Sequence, residues 1–217
     1  MDPSAELTPL YRGAEADLFT FEMGPWKAVL KKRVRKTYRA VELDKRIRIE
    51  RTTREALAMH AAKRLGVRAP TLLEINPNEC SIIMTYIHGA SARGTLDSTS
   101  PPDSKAILTD LGRQVGLLHG GGIVHGDLTT SNIIIDTGLG AHMLDFGMSS
   151  HTCETEDMGA DLHLLERSIA TSHIGDTGAS IRAFSKGYAE TSGTARAREA
   201  FKKAATIARR GRYFALR

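Results

Sequence analysis

The amino-acid sequence predicts an α+β fold of two lobes, a small first lobe built on an antiparallel sheet with one main helix and a reduced, mostly helical second lobe. Three observations predict it. Strand-like segments bounded by turn residues crowd the first part of the chain, with a single long helical stretch among them. A run rich in Ser, Thr, Gly and Pro follows Gly89 as far as Pro102 and reads as a hinge and loop. Beyond it, apolar residues recur at helical spacing around one short isoleucine-rich hairpin. The lobes are accordingly assigned to 1–88 and 89–217.

Taken in order, Leu10 to Arg12, Leu18 to Phe21 and Trp26 to Val34 are strands, separated by turns at Gly13-Ala14-Glu15-Ala16 and Gly24-Pro25. Leu43 to Leu65 favours helix, with Ile47, Leu57, Ala58, Ala61 and Leu65 as its core stripe and Gly66 as its stop. Thr71 to Ile75 and Ser81 to Ile87 return to strand across the turn Asn76-Pro77-Asn78-Glu79. Five strands and one helix complete the first lobe. Helix resumes at Asp103 or Ser104, just after two prolines, and Ile107, Leu111, Val115 and Leu118 mark its buried face. Gly120-Gly121-Gly122 ends that helix. Ile133-Ile134-Ile135 pairs with Met143-Leu144 across Thr137-Gly138, and the remainder is mostly helical, closing on a helix from Ala195 to Ala208.

With 217 residues, 41% hydrophobic and 25% charged, the chain has the composition of a folded protein of one sizeable core or two small lobes. The apolar runs fall far short of the roughly 18 residues that a membrane span needs. The first ten residues carry Asp2 and Glu6 and lack a basic head before an apolar stretch, which argues against a secretory signal. Cys80 and Cys153 stand apart with no C-x-x-C spacing, so a reducing, cytoplasmic setting is expected. Charge is segregated: 27–54 holds twelve Lys and Arg against three acids, 196–217 eight against one, and 55–195 nine against sixteen. Two basic blocks of this kind suit phosphates or nucleic acid, although solvated helix faces look the same at this level.

The strongest chemical signal is His125-Gly126-Asp127-Leu128-Thr129-Thr130-Ser131-Asn132 followed by Asp145-Phe146-Gly147. Phosphoryl transfer needs a carboxylate to orient the attacking oxygen and oxygen ligands to hold magnesium against nucleotide phosphates. Asp127 precedes Asn132 by five positions, the interval of the kinase catalytic loop H-R-D-x-x-x-x-N, and a short hairpin then delivers the aspartate of D-F-G. Asp127 is read as the catalytic base, Asn132 and Asp145 as metal ligands, and His125 as a prop beneath the loop. Upstream, Ala28-Val29-Leu30-Lys31 is an apolar strand ending in a lysine suited to hold phosphates, with Glu55 on the first-lobe helix as its partner. Lys32 and Glu50 remain alternatives, because the pleat is not settled by Ala28 and Leu30 alone. The nucleotide-covering turn Gly13-Ala14-Glu15-Ala16 has a single glycine in place of G-x-G-x-x-G, and Glu15 there needs a cation to screen it from a triphosphate.

These residues together resemble one family, the small atypical serine/threonine kinase subunit of the KEOPS complex, also called the PRPK type. The resemblance covers nearly the whole chain. It includes the G-A-E-A turn at Gly13, the run Lys31 to Arg39, Leu43-Asp44, Arg51-Thr52-Thr53-Arg54-Glu55, the loop from His125 to Asn132, D-F-G-M-S at Asp145, Asp161-Leu162 with Leu165-Glu166, and Arg210-Gly211-Arg212. One departure is Ala40-Val41-Glu42, where the family more often has His-Pro. The resemblance implies a bilobal protein-kinase-like fold, ATP and Mg2+ as cofactors, autophosphorylation or ATPase activity, and service to a complex that makes threonylcarbamoyladenosine in tRNA. It carries over Lys31, Glu55, Asp127, Asn132 and Asp145, and the expected nucleotide set is completed by Gly13, Ala14, Glu15, Ala16, Met84 and Ile87. Expected partners are the KEOPS transferase subunit, other KEOPS subunits, and tRNA through 27–54 and 196–217.

Two features set the chain apart from typical protein kinases. Gly126 replaces the arginine that usually receives an activation-loop phosphate, and no A-P-E motif follows D-F-G. The stretch after Asp145 is expected to be too short for a full peptide-docking half or for the helical enclosure of an aminoglycoside- or choline-type small-molecule kinase, the competing enzyme reading. An inert nucleotide-binding module would have lost Asp127 or Asn132, and both are present. An adaptor role for tRNA or protein rests on the basic blocks alone.

Overall fold

The structure, a computed structural model, describes residues 6–152, 154–172 and 176–214. Asp2, Cys153, Arg217 and the side chain of Arg212, all used in the sequence reading, lie outside the described residues. Strands β1 (Thr8–Arg12), β2 (Ala16–Met23), β3 (Trp26–Arg33), β4 (Leu72–Asn76) and β5 (Ser81–Thr85) form one antiparallel sheet in the order β1-β2-β3-β5-β4. Its alternation answers what the sequence left open. Ala28 and Leu30 of β3 join Phe21 and Ile83 in a small cluster, which sends Val29, Lys31 and Arg33 to the opposite face. Lys31 is buried there, while Lys32 is exposed and pairs with Glu79 at 3.2 Å.

Helix α1 (Val41–Arg64) crosses that second face. Its inward stripe matches the expected one only at Ala58, which is buried: Leu57 is 61% exposed, and Ile47, Ala61 and Leu65 are only half-buried. Thr52, Glu55, Ala56, Met59 and Ala62 are buried instead, at spacings of three or four residues with Ala56 alongside. Two of those five are polar, so a stripe drawn through apolar residues is rotated away from the true one. Near the start of α1, fully buried Asp44 accepts from the Lys36 backbone N–H at 3.1 Å and from Arg48 Nε at 2.7 Å. That contact ties the basic segment after β3 to the helix, and the Arg48 bond holds the Asp44 carboxyl below the usual range.

The segment after Gly89 is more ordered than a loop. It contains β6 (Ala90–Ser91) and α2 (Ala92–Ser98). Ser91 caps α2 by accepting from Arg93 N at 3.3 Å, and Thr95 and Ser98 donate back to the carbonyls of Ser91 and Gly94 at 2.9 and 3.1 Å. Side chains that favour loops by competing for backbone groups are here consumed within one turn of helix. Helix α3 (Pro101–Gly120) begins earlier than expected, with Ser100 as its cap and both prolines in its first turn, where no N–H partner is needed.

Ile107, Leu111, Val115 and Leu118 of α3 are buried as expected, in a core continuous with Met59 and Ala62 of α1. Full burial of each Leu or Ile contributes about 1.5–3 kcal/mol. Helix α3 leads through β7 (Ile123–Val124) to the loop before β8 (Ile133–Ile135), which pairs with β6 and with β9 (Ala141–Met143). β10 (Ser150–His151) returns to pair with β7. Helices α4 (Thr155–Ser172), α5 (Thr177–Ser192) and α6 (Thr194–Phe214) complete the chain. Helix α6 runs past Ala208, where the sequence pattern predicts its end. Arg210 and Lys203 reach Glu156 of α4 at 3.1 and 2.6 Å, fixing the end of α6 to its neighbour. No helix among the described residues is long and apolar enough to cross a membrane.

Candidate active site

β3 and α1 bring three of the candidate residues together. Lys31 Nζ lies 2.6 Å from Glu55 Oε1 and 2.7 Å from Asp145 Oδ1, with the Lys31 and Glu55 side chains only 8% and 4% exposed. Asp145 has φ +57, a left-handed conformation that Asp adopts more readily than most residues but still at a cost. The turn that follows it delivers Gly147 N to Asp145 Oδ1 at 3.2 Å. Burial pushes the Asp145 carboxyl up, but the Lys31 ammonium and the Gly147 amide outweigh it and hold the group below its ordinary value. Asp145 is therefore an anion at neutral pH, as a metal ligand must be.

A second cluster forms on the loop between β7 and β8. Asn132 Nδ2 donates to the Asp127 backbone oxygen at 2.9 Å and to Asp127 Oδ2 at 2.8 Å. Both amide protons are thereby directed at Asp127, and the Asn132 carbonyl oxygen is left as an acceptor. Asp127 and Asn132 are half-buried, within reach of solvent. His125 sits beneath them, fully buried, with its Nε2 2.8 Å from the Leu144 carbonyl and its ring 5.0 Å from that of Phe146. Because a carbonyl only accepts, Nε2 carries the proton and Nδ1 faces the Asp127 N–H at 3.4 Å.

Gly126 has φ +79, and a Cβ added to it would lie 2.2 Å from the Met148 carbonyl oxygen. An arginine therefore cannot replace it without moving the backbone after D-F-G. Sequence reasoning treated Gly126 only as a missing arginine. It also gave no role to two polar supports that stand in the motifs of the resemblance, Arg33 and Asp161. Arg33 Nη2 reaches Glu55 Oε2 at 2.5 Å, and the signal was present, since Arg33 is two residues beyond Lys31 and shares its strand face. Asp161 of α4 accepts from the backbone N–H groups of His125 and Gly126 at 2.6 and 2.8 Å. It also receives His119 Nε2 at 3.2 Å, and His119 Nδ1 lies 2.9 Å from the Tyr188 hydroxyl. Asp161 is distant in sequence from the loop that it supports, so no local spacing reveals this.

The Gly13–Ala16 turn is closed by Gly13 N donating to Ala16 O at 3.1 Å. A Cβ on Gly13 would meet the Tyr11 ring at 2.7 Å and that same oxygen at 2.9 Å, which accounts for the glycine. Glu15 is screened as its position required: Arg51 Nη1 and Lys36 Nζ lie 2.9 and 3.4 Å from its carboxylate, and Lys36 also bonds the Ala14 carbonyl. Met84 on β5 pairs in register with Val29 of β3, and Ile87 follows β5; Met84 and Ile87 are both half-buried. Among the described residues no hydrogen bond joins Gly13–Ala16, Met84 or Ile87 to the Lys31 cluster, or that cluster to Asp127 and Asn132.

The donor set fits magnesium. Asp145 and Asn132 offer two oxygens of the hard type that Mg2+ prefers, with the remaining positions open to phosphate and water. No group of three His, Cys, Asp or Glu that could hold a metal occurs among the described residues.

Comparison with known proteins places this arrangement in context. Residues 20–171 match the model of the RIO domain. The KEOPS complex subunit Bud32 of Pyrococcus abyssi is 37% identical over 208 residues, covering 93% of this chain and 94% of that protein. A probable bifunctional tRNA threonylcarbamoyladenosine biosynthesis protein of Methanococcus maripaludis is 38% identical over 162 residues, covering 75% of this chain but only 29% of the longer protein. Among solved structures, the Rio2 kinase–ADP/Mg2+–phosphoaspartate complex of Chaetomium thermophilum aligns with a TM-score of 0.58 at 17% identity, covering 94% of this chain and 71% of that one. That similarity establishes a protein-kinase-like fold.

Proposed function

The chain belongs to the RIO-domain family, and from that premise we propose that it is an ATP-dependent phosphotransferase, an atypical serine/threonine kinase or ATPase, serving as a KEOPS subunit in tRNA threonylcarbamoyladenosine modification. The observation that carries this reading is the Lys31 ammonium held between Glu55 and Asp145 at 2.6 and 2.7 Å. It poises one cation beside one candidate metal ligand, as transfer of a γ-phosphoryl group requires. In this reading Lys31 grips the nucleotide phosphates, Glu55 orients it, Asp127 accepts the proton of the attacking oxygen, and Asn132 fixes Asp127 while turning its own oxygen to the metal. Asn132 and Asp145 would hold magnesium, which would supply charge neutralisation at the transferred group. Gly13 to Ala16 would cover the phosphates, and Met84 and Ile87 would line the base. The small-molecule-kinase alternative is not favoured by the family match or by these relatives.

The lobes 1–88 and 89–217 are proposed as the two halves of the cleft, and a cytoplasmic setting goes with the role. Partners are a KEOPS transferase subunit and tRNA, the latter through the basic stretches 27–54 and 196–217. The test is incubation of the purified chain with γ-labelled ATP and Mg2+, alone and with the transferase subunit, following label into free phosphate and protein. Label in neither product would refute the phosphotransferase. Binding of tRNA to the assembly, measured across salt concentrations, should weaken as salt rises if the basic stretches meet phosphates; a flat response would remove tRNA from the proposal.

The two adjacent lysines give a sharper check. Lys31→Ala should cut ATP turnover by about a hundredfold or more, the scale seen when a charge-stabilising donor is removed from an active site. Lys32→Ala, which removes an exposed pair with Glu79, should leave turnover near wild type. Steady-state rates of both variants decide it, and the opposite ranking would move the site to the other face of β3.

A further inference from the structure

We propose that Arg33 is a positioning residue for phosphoryl transfer, holding Glu55 and with it α1 in place when nucleotide phosphates draw on Lys31. The inference rests on the phosphotransferase reading above. Lys31 is shared: its ammonium serves Glu55 Oε1 at 2.6 Å and Asp145 Oδ1 at 2.7 Å. An ammonium has three protons to give, and a polyphosphate arriving beside it competes for them. With Lys31 as its sole partner, Glu55 would be left on nucleotide binding as a buried carboxylate short of a counter-charge, which is strongly unfavourable.

The second carboxylate oxygen of Glu55 has its own cation. Arg33 Nη2 lies 2.5 Å from Oε2, and both side chains are almost fully buried. A guanidinium does not give up its charge, and nothing in the expected chemistry asks it to leave. The same Nη2 reaches the Arg51 carbonyl at 3.5 Å, one turn earlier, so Arg33 meets two successive turns of α1. It also touches the other side of the site: a Cβ added to Gly147 would lie 2.9 Å from Arg33 Nη2 and 3.5 Å from Glu55 Oε2. The guanidinium therefore packs between α1 and the turn that carries Asp145. Lys31 and Arg33 balance Glu55 and Asp145 in charge, so the cluster holds no net charge for burial to penalise. Arg33 Nε, by contrast, is buried with no hydrogen-bond partner. A position that served packing alone would be better filled by an apolar side chain, which would orphan nothing.

The test compares backbone amide exchange of α1 around 51–56 with and without Mg-ADP, in the wild type, Arg33→Met and Arg33→Lys, together with ATP turnover. In the wild type, nucleotide should leave α1 exchange unchanged or slower. In Arg33→Met, nucleotide should speed that exchange on the order of tenfold, the size expected when a charge-assisted hydrogen bond is lost from the closed state. Turnover should fall at least as much, with ADP affinity changed far less. Arg33→Lys, which keeps the charge but cannot reach both the Glu55 carboxylate and the Arg51 carbonyl in the same geometry, should recover only part of the protection. A nucleotide response in Arg33→Met equal to that of the wild type overturns the proposal, as does a loss of protection that is the same with and without nucleotide, since that marks a packing role. Should Arg33→Met fail to fold, Arg33→Lys decides: turnover and nucleotide response both intermediate support the anchor, and both at wild-type level refute it. A wild type that binds Mg-ADP but hydrolyses no ATP would sink the phosphotransferase reading, while the exchange comparison would still decide the role of Arg33.

Discussion

Asp127→Asn and Asp145→Asn should each lower ATP turnover by about a hundredfold or more, the scale for loss of a positioned acid–base group at 127 and of charge stabilisation at 145, while leaving the fold intact. Both carboxylates line open parts of the site: Asp145 is half exposed and Asp127 half-buried. Neither substitution opens a cavity. Asparagine is the informative replacement at 145, because the backbone there is left-handed and Asn tolerates that conformation where alanine would add strain. The amide removes the negative charge that Lys31 faces at 2.7 Å and weakens one proposed metal ligand. At 127 the amide keeps its contact with Asn132 only by presenting its oxygen, and it cannot accept a proton. Turnover and thermal unfolding of each variant check both halves of the expectation. Near wild-type turnover in either one would remove that residue from the chemistry, and unfolding in parallel with lost activity would make its role structural.

Much of the site was legible because its chemistry sits on short spacings. Asp127 and Asn132 lie on one loop, and their contact follows from that loop's closure. The hairpin that delivers Asp145 announces itself by three isoleucines, although its return strand is Ala141–Met143 and not Met143-Leu144. Other features were hidden by the physics that makes them work. The inward stripe of α1 includes Thr52 and Glu55, and hydrophobic periodicity cannot find a stripe whose polar members are satisfied by partners on another element. The Gly126 requirement arises from Met148 O, a residue 22 positions away that comes close only in the folded chain. Helix α2 is built from residues whose side chains bond their own backbone, and composition alone assigns such residues to loops. Arg33 was readable in principle from its place two residues after Lys31. It was passed over because five basic residues among the six from Lys31 to Lys36 look like a solvated surface until burial separates them.

Asp161→Ala should be the most damaging change outside the groups proposed to meet the nucleotide. In the native fold its carboxylate, 3% exposed, accepts from His125 N at 2.6 Å, Gly126 N at 2.8 Å and His119 Nε2 at 3.2 Å. Its removal leaves three donors without their acceptor, two of them buried, and each buried loss costs about 1–3 kcal/mol, so a stability loss of roughly 3 kcal/mol or more is expected. Two of those donors belong to the backbone that aims Asp127. A displacement on the order of 1 Å there is enough to cost roughly a hundredfold in rate. Asp161→Asn should fail for a related reason, since an amide offers one acceptor oxygen where two are in use and turns its NH2 toward groups that themselves donate. Nucleotide binding should suffer less, because Lys31, Glu55 and Asp145 are held by β3, α1 and the turn after β9, not by Asp161. The measurement is therefore a split one: ATP turnover, nucleotide affinity and thermal midpoint for both variants. Loss of turnover with affinity largely kept, in both Ala and Asn, supports Asp161 as the support of the catalytic loop. Turnover near wild type in Asp161→Asn would show that the loop holds its shape through His125, the Leu144 carbonyl and the Gly126 turn without help from α4.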